Sequence, residues 1–275
     1  MEEDNEGNIW MGTSKGLCRY SGGRFVTYSS EDGLNDNRLL TTYCDKSNRI
    51  WMGMVNGGVN YIENNVVKNV PVASALNKAT IWSITQDNAG NIWMGTSGGP
   101  VVITADLQKM YYPFEILNNK IIYTILANSD GSIWMGTDRG IYKYSTNSFK
   151  IINKLNGLAN DNIRCLFQDR QGLVWIGTMQ GLYFMNGDDA VSLNDLLAIN
   201  KTPVTAIAQD LNDNILFSNY DFGISVFSKT NKKMAFRHLD TKNGLINNRI
   251  LCMASDQNYL WLGTPDGVDR IDWNT

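Results

Sequence analysis

GNIWMGTSKGLCRY, residues 7–20, returns as GNIWMGTSGGPVVI at 90–103 and as GSIWMGTDRGIYKY at 131–144. Aligned on its tryptophan, the stretch has seven copies, anchored at Trp10, Trp51, Trp93, Trp134, Trp175, Leu216 and Trp261, 41 to 45 residues apart. Each anchor sits in a short apolar run closed by turn residues, as in NIWMGT, LVWIGT or YLWLGT. A β-rich segment with a polar turn precedes it, such as ATIWSITQDNAG at 79–90, and a glycine with another short run follows, such as GIYKY at 140–144. A weaker fourth run closes most copies, for example RFVTY at 24–28 and SFKII at 148–152. No useful length shows the i, i+3, i+4 spacing of an amphipathic helix.

Four short strands per forty-odd residues, seven times over, predict an all-β chain: a seven-bladed β-propeller of four-stranded antiparallel blades, one domain over 1–275. Each blade packs both faces on neighbours, so the second strand reads as a continuous apolar run. The tryptophan is then the apolar mass between blades, not a ligand platform, and the glycine two residues on leaves room for the next blade. An acid or amide stands six residues before the anchor in six copies (Asp4, Asp45, Asp87, Asn128, Asp169, Asp210), and Asp256 stands five before the last. Followed by glycine or another residue tolerant of positive φ, these are hairpin residues, with the carboxylate holding turn amides. Only MEED precedes the first turn and GVDRIDWNT ends the last copy. Blade 1 is therefore expected to lack most of its innermost strand and blade 7 its outermost, with exposed edges as a result.

The net charge of −3 argues against a nucleic-acid surface. No run approaches eighteen apolar residues, so no direct membrane insertion by this chain is expected. The acidic MEEDNEG is not a secretory signal. Cys18, Cys44, Cys165 and Cys252 form no CxxC or Cys/His cluster and read as free, buried thiols. The single histidine, His238, removes most metal-site and triad proposals and reads as a partly exposed strand residue. No cofactor is implied.

The unit D-x-x-G-N-I-W-M-G-T-x-x-G-L resembles the two-component regulator propeller repeat. A second element of that family, Gly-Leu followed by Asn or Asp and an aliphatic strand, stands at GLNDNRLL (33–40), GLANDNIRCL (157–166) and GLINNRILC (244–252). The resemblance covers essentially the whole chain. It implies the extracytoplasmic, hence periplasmic, sensor region of a hybrid two-component system. There, tandem propellers precede an immunoglobulin-like domain, a membrane helix, a histidine kinase and a response-regulator part, and ligands are oligosaccharides. It further implies one propeller of such a protein or a short homologue, itself without enzyme activity, with a second propeller or a homodimer partner.

Antiparallel order brings the blade-to-blade connections and the turns between second and third strands to one end of each blade. Both vary in sequence, whereas the turns holding the repeated acids are uniform; variety leaves room for recognition. Along the first strand, an aliphatic position (Leu39, Ile81, Ile122, Ile163, Val204, Ile250) and a small one two further on (Thr41, Ser83, Thr124, Cys165, Ala206, Cys252) bracket an irregular one. That position holds Leu40, Trp82, Tyr123, Arg164, Thr205 and Leu251. Trp82, Tyr123 and Arg164, on successive blades, suit a sugar through stacking and charge-assisted hydrogen bonds, an anionic one especially. The bland alternative is that they fill the core between blades. Arg38, Asp138, Arg139, Tyr220, Asp221 and Arg249 are further candidates in loops at the same end. A lyase or hydrolase is the competing enzyme class, with Asp138 and Asp161 as the pair to examine. An assembly module docking another propeller or a second copy is the third.

Overall fold

The computed structural model describes residues 1–194, 202–219, 221–230, 233–256 and 258–272. The chain is a seven-bladed β-propeller, and its described residues form six four-stranded sheets and one three-stranded sheet, each in chain order with antiparallel neighbours. It divides into two compact units, Met1–Met135 with Tyr144–Asn147 and Gly136–Lys143 with Ser148–Thr275. The short sheets fall where the sequence places them. The innermost strand of blade 1 is only Glu2–Glu3, and blade 7 consists of Cys252–Ser255, Tyr259–Thr264 and Gly267–Asp272.

All seven anchors are buried, each in the second strand of its blade. The repeated acid does more than hold a turn. Its Oδ2 accepts the indole N–H of the anchor: Trp10 to Asp4 at 2.7 Å, Trp51 to Asp45, Trp93 to Asp87 and Trp175 to Asp169 at 2.8 Å, and Trp261 to Asp256 at 2.7 Å. In blade 2, Oδ1 of Asp45 meanwhile accepts the amides of Ser47 and Arg49, both at 2.9 Å. One buried carboxylate thus closes the hairpin and pins the ring that separates blades. Hydrogen bonds to a charged group contribute about 1.5–3 kcal/mol each. Blade 4 carries Asn128 in place of the acid, and a relay compensates. Trp134 donates to Ser132 Oγ at 2.8 Å, and Ser132 donates to Asp130 Oδ1 at 2.5 Å. Blade 6 carries Leu216, and Asp210 Oδ2 accepts the Asn214 amide at 2.6 Å instead. Ser132→Ala is expected to cost about 1–3 kcal/mol, because the buried indole N–H loses this acceptor; urea denaturation against the parent chain reads the difference.

Burial raises the Asp4 pKa, but hydrogen bonds from Trp10, Asn8 and the turn amides outweigh it, and the carboxyl sits below its ordinary value. Its stabilising effect is therefore full above the unfolded value of about 4 and is lost as pH falls through the lower folded value. Asp4→Asn is expected to weaken the acid dependence of the melting temperature below about pH 4, which calorimetry at stepped pH checks.

The glycine two residues after the anchor packs closely against the following blade. A Cβ on Gly12 would stand 3.0 Å from Leu39 Cβ, on Gly53 2.8 Å from Ile81 Cβ, on Gly95 2.6 Å from the Ile122 carbonyl, and on Gly177 2.6 Å from the Val204 carbonyl. The neighbours are the aliphatic residues that begin the first strand of the following blade (Leu39, Ile81) or stand just before it (Ile122, Val204), and all four are buried. Backbone bonds follow the same contact, with Ile122 N–H on the Thr96 carbonyl and Val204 N–H on the Thr178 carbonyl.

The turns between second and third strands are more uniform than their sequences suggest. In five blades a threonine hydroxyl donates to the glycine carbonyl three residues on (Thr13, Thr96, Thr137, Thr178, Thr264). The same oxygen accepts the amide two residues on, at Lys15, Gly98, Arg139, Gln180 and Asp266. Variety there is confined to the two turn side chains, because the Gly-Thr-x-x-Gly frame closes the backbone on itself. The four cysteines are free and half-buried rather than fully buried. Desolvation pushes the Cys165 thiol up to about 12 and the Cys44 thiol up to about 11, which keeps both protonated at neutral pH.

Candidate functional site

In blades 2, 3 and 5 the irregular first-strand position is a β-bulge. In blade 2, Leu39 pairs with Met54 and Thr41 with Gly53, so Leu40 is passed over. Blade 3 pairs Ile81 with Thr96 and Ser83 with Gly95, passing over Trp82, and blade 5 pairs Ile163 with Thr178 and Cys165 with Gly177, passing over Arg164. A bulge adds one residue to one strand, bends it and re-aims the extra side chain. Leu40 is accordingly 42% exposed and Trp82 36%, while the flanking Leu39 and Ile81 are buried. Leu251, at the same repeat position in blade 7, is 51% exposed.

In the first unit the bulge brings Trp82 against Tyr123, the residue at the equivalent position of blade 4. Their ring centroids are 5.7 Å apart at 66°, an edge-to-face corner. The Trp82 ring is partly exposed at this corner and the Tyr123 ring half-buried. In the second unit Arg164 is half-buried at the bulge, and Thr205 is tied down, its hydroxyl bonded to Ser218 Oγ at 3.0 Å and to the Ile250 carbonyl at 3.2 Å.

The loop candidates fare differently. Arg38 is exposed, and its guanidinium meets Asp36 through Nε at 3.0 Å and Nη2 at 2.6 Å. The Arg38 bonds also hold the Asp36 carboxyl below its ordinary value. Asp138 and Arg139 are the exposed tip of the threonine-closed turn in blade 4. Asp221 is exposed at φ 63°, and Arg249 is exposed with its amide on Asn247 Oδ1 at 2.7 Å. Tyr220 lies outside the described residues.

Asp161, the suspected partner of Asp138, has a structural task. The Gly-Leu element builds a 3-10 turn at Ser30–Asp32, Lys154–Asn156 and Thr241–Asn243, each with a capping box and a left-handed glycine after it. The side chains of Asn37, Asp161 and Asn248 accept the first amide of these turns at 2.7, 2.8 and 2.7 Å. The next backbone N–H after each buried leucine is taken by the following blade: Asn35 on Asn60 Oδ1, Ala159 on Tyr183 Oη, Ile246 on Asp269 Oδ2. The carboxylate of Asp161 is one of three equivalent caps.

Among the described residues no His, Cys, Asp and Glu group could hold a metal ion, and no helix is long and apolar enough to cross a membrane. No curated protein sequence matches the chain. Among solved structures, the extracellular domain of the hybrid two-component system BT3049 of B. thetaiotaomicron is similar, with TM-score 0.87 and 22% identity over 99% of this chain and 38% of that one. The BT4673 domain of the same organism gives 0.80 and 23% over 98% of this chain and 37% of that one. Virginiamycin B lyase of Staphylococcus aureus gives 0.76 and 12%, over 98% and 93%. At these identities the likeness is one of fold, and this chain spans about two fifths of the length of the two-component domains. In sequence, residues 75–98, 116–139 and 157–180 match the two-component regulator propeller family, each stretch running from a blade connection through the anchor to the turn beyond it. Three repeats of this chain, those anchored at Trp93, Trp134 and Trp175, match the two-component regulator propeller repeat.

Proposed function

We propose that this chain is a non-catalytic ligand-binding propeller of an extracytoplasmic sensor, and that it reads an oligosaccharide at the bulge end of its blades. The observation that carries this is the bulge itself. The bulges of blades 2, 3 and 5 release Leu40, Trp82 and Arg164 at one repeat position, and in the first unit Trp82 meets Tyr123, at the same repeat position of blade 4, as an aromatic corner. A partly exposed indole suits the apolar face of a pyranose ring, and in the second unit the arginine at the same repeat position suits a carboxylate or sulfate. The family match and the likeness to extracellular domains support a sensor role and an extracytoplasmic, periplasmic setting.

Calorimetric titration with neutral and acidic oligosaccharides tests it. Trp82→Ala is expected to weaken binding about tenfold or more, the loss of one stacked ring at 1–3 kcal/mol. Tyr123→Ala is expected to follow in the same direction, and Arg164→Ala to weaken acidic ligands selectively. Saturating binding left unchanged by all three substitutions removes the proposed site; continuing heat after each injection, with product formed, replaces a sensor by an enzyme.

A further inference from the structure

The pair Asn-Gly occurs four times, at 56–57, 156–157, 186–187 and 243–244. Glycine has no side chain to shield its own amide, so its backbone nitrogen reaches the side-chain carbonyl of a preceding asparagine with least hindrance. The fold locks three of the four pairs. Asn156 Oδ1 accepts the Asn153 amide at 3.3 Å and Asn243 Oδ1 the Asp240 amide at 3.2 Å, each within a capping box. The glycine amides that follow are held too, Gly157 on the Lys154 carbonyl at 3.4 Å and Gly244 on the Thr241 carbonyl at 3.3 Å. Asn56 Oδ1 accepts the Thr80 hydroxyl at 3.1 Å, and Gly57 is buried, its Cβ position 2.6 Å from Asp36 Cβ.

Asn186 and Gly187 are placed differently. They enter the tight turn that joins Gly181–Asn186 to Asp189–Ser192, and Asn186 with Asp189 is the last pair of that ladder. Both are exposed, and nothing lies within 4 Å of the Gly187 Cβ position. Among the described residues no side-chain hydrogen bond holds Asn186, so opening the turn costs only that terminal pair. Two ammonium groups stand beside it. Lys150 pairs with Asp188, and together with Lys143 it holds that carboxyl below its ordinary value. Positive charge there stabilises the negative charge that develops as an amide nitrogen gives up its proton and attacks.

We propose that Asn186 is a site of self-modification, at which the Gly187 nitrogen closes on the Asn186 Cγ to form a succinimide. The N–Cγ bond forms, the Cγ–Nδ2 bond breaks, and Nδ2 leaves as ammonia with the proton of the Gly187 amide. Water then opens the ring at either carbonyl and leaves aspartate or isoaspartate at 186, with no oxidant or reductant consumed. Either product adds a carboxylate two residues from Asp188 and its lysines. Isoaspartate also routes the main chain through Cβ, one carbon longer, so the ladder ends a pair earlier, at Met185 with Ala190.

The test incubates the full chain in mildly alkaline buffer, folded and in urea, and follows the four pairs by peptide mass mapping. Unfolded, all four are expected to gain about one dalton at rates within about threefold of one another, since the reacting pair is the same. Folded, position 186 is expected to keep that rate, whereas 56, 156 and 243 slow about tenfold or more. Isoaspartate at 186, read by enzymatic methylation of its carboxyl, is expected alongside aspartate, because only the ring can give both. Gly187→Ala is expected to slow the reaction about tenfold, and should that variant alter the turn, the isoaspartate readout carries the test. Protection of 186 equal to that of the other three, or a faster reaction at any of them, overturns the proposal. Aspartate without isoaspartate means direct hydrolysis of the side-chain amide and overturns it too.

Discussion

Asp45→Ala is expected to lower stability by about 3–5 kcal/mol, the range for stripping one partner from a buried ion pair. The Asp45 side chain is fully buried, and Oδ2 accepts Arg49 Nε at 2.6 Å as well as the Trp51 indole at 2.8 Å. The Arg49 guanidinium also lies 5.5 Å from the Trp51 ring centroid and 5.7 Å from that of Tyr61. Removing the carboxylate leaves a largely buried cation, an unpaired indole N–H and two unheld turn amides around Trp51, itself fully buried. Asp210→Ala in blade 6 serves as the comparison. There the anchor is Leu216, so the same substitution breaks the turn without stranding an indole, and its cost is expected to be smaller by about 1–3 kcal/mol. Urea denaturation of the two variants measures the difference, and equal costs would mean the acid acts through the turn alone.

Gly95→Ala carries the second large effect, about 3 kcal/mol or more, at the upper end of overpacking costs. The new methyl would stand 2.6 Å from the Ile122 carbonyl and 3.0 Å from its Cγ2, and that carbonyl belongs to backbone between packed blades. Gly177→Ala meets Cys165 Sγ at 2.4 Å and the Val204 carbonyl at 2.6 Å, so it is expected to behave alike in the other unit. Gly131→Ala separates packing from backbone strain. Its Cβ position is open but φ is 84°, which costs about 1–2 kcal/mol for an L-residue. Melting temperatures in the order Gly131→Ala above Gly95→Ala would place the larger demand in the space between blades.

The anchors and their period made the blade count legible, since each copy repeats one buried ring in one strand. The short first strand of blade 1 and the three strands of blade 7 could be read as well, because the missing runs are visible by alignment. Two devices escaped the one-dimensional view. The bond from tryptophan to aspartate joins residues six apart across a hairpin; its signal was covariation within the chain, with Ser132 and Asp130 appearing where Asn128 replaces the acid. The threonine of the Gly-Thr-x-x-Gly turn looked like a strand residue, although its hydroxyl sets the turn that follows. The irregular first-strand position was legible as irregular, but not as a bulge, because pairing register is a property of two strands. Loop candidates such as Arg38 and Asp161 were the least legible, since their partners, Asp36 and the Lys154 amide, are local and satisfy them within the scaffold.

Because the bulge residue stands outside the ladder, the hydrogen bonds of blades 2, 3 and 5 are indifferent to what occupies 40, 82 and 164. Stability and surface chemistry are thereby written in separate positions of the same strand. A combinatorial library over those three codons would sample many surfaces on one unchanged frame, and drift in a lineage could do the same without passing through unfolded intermediates.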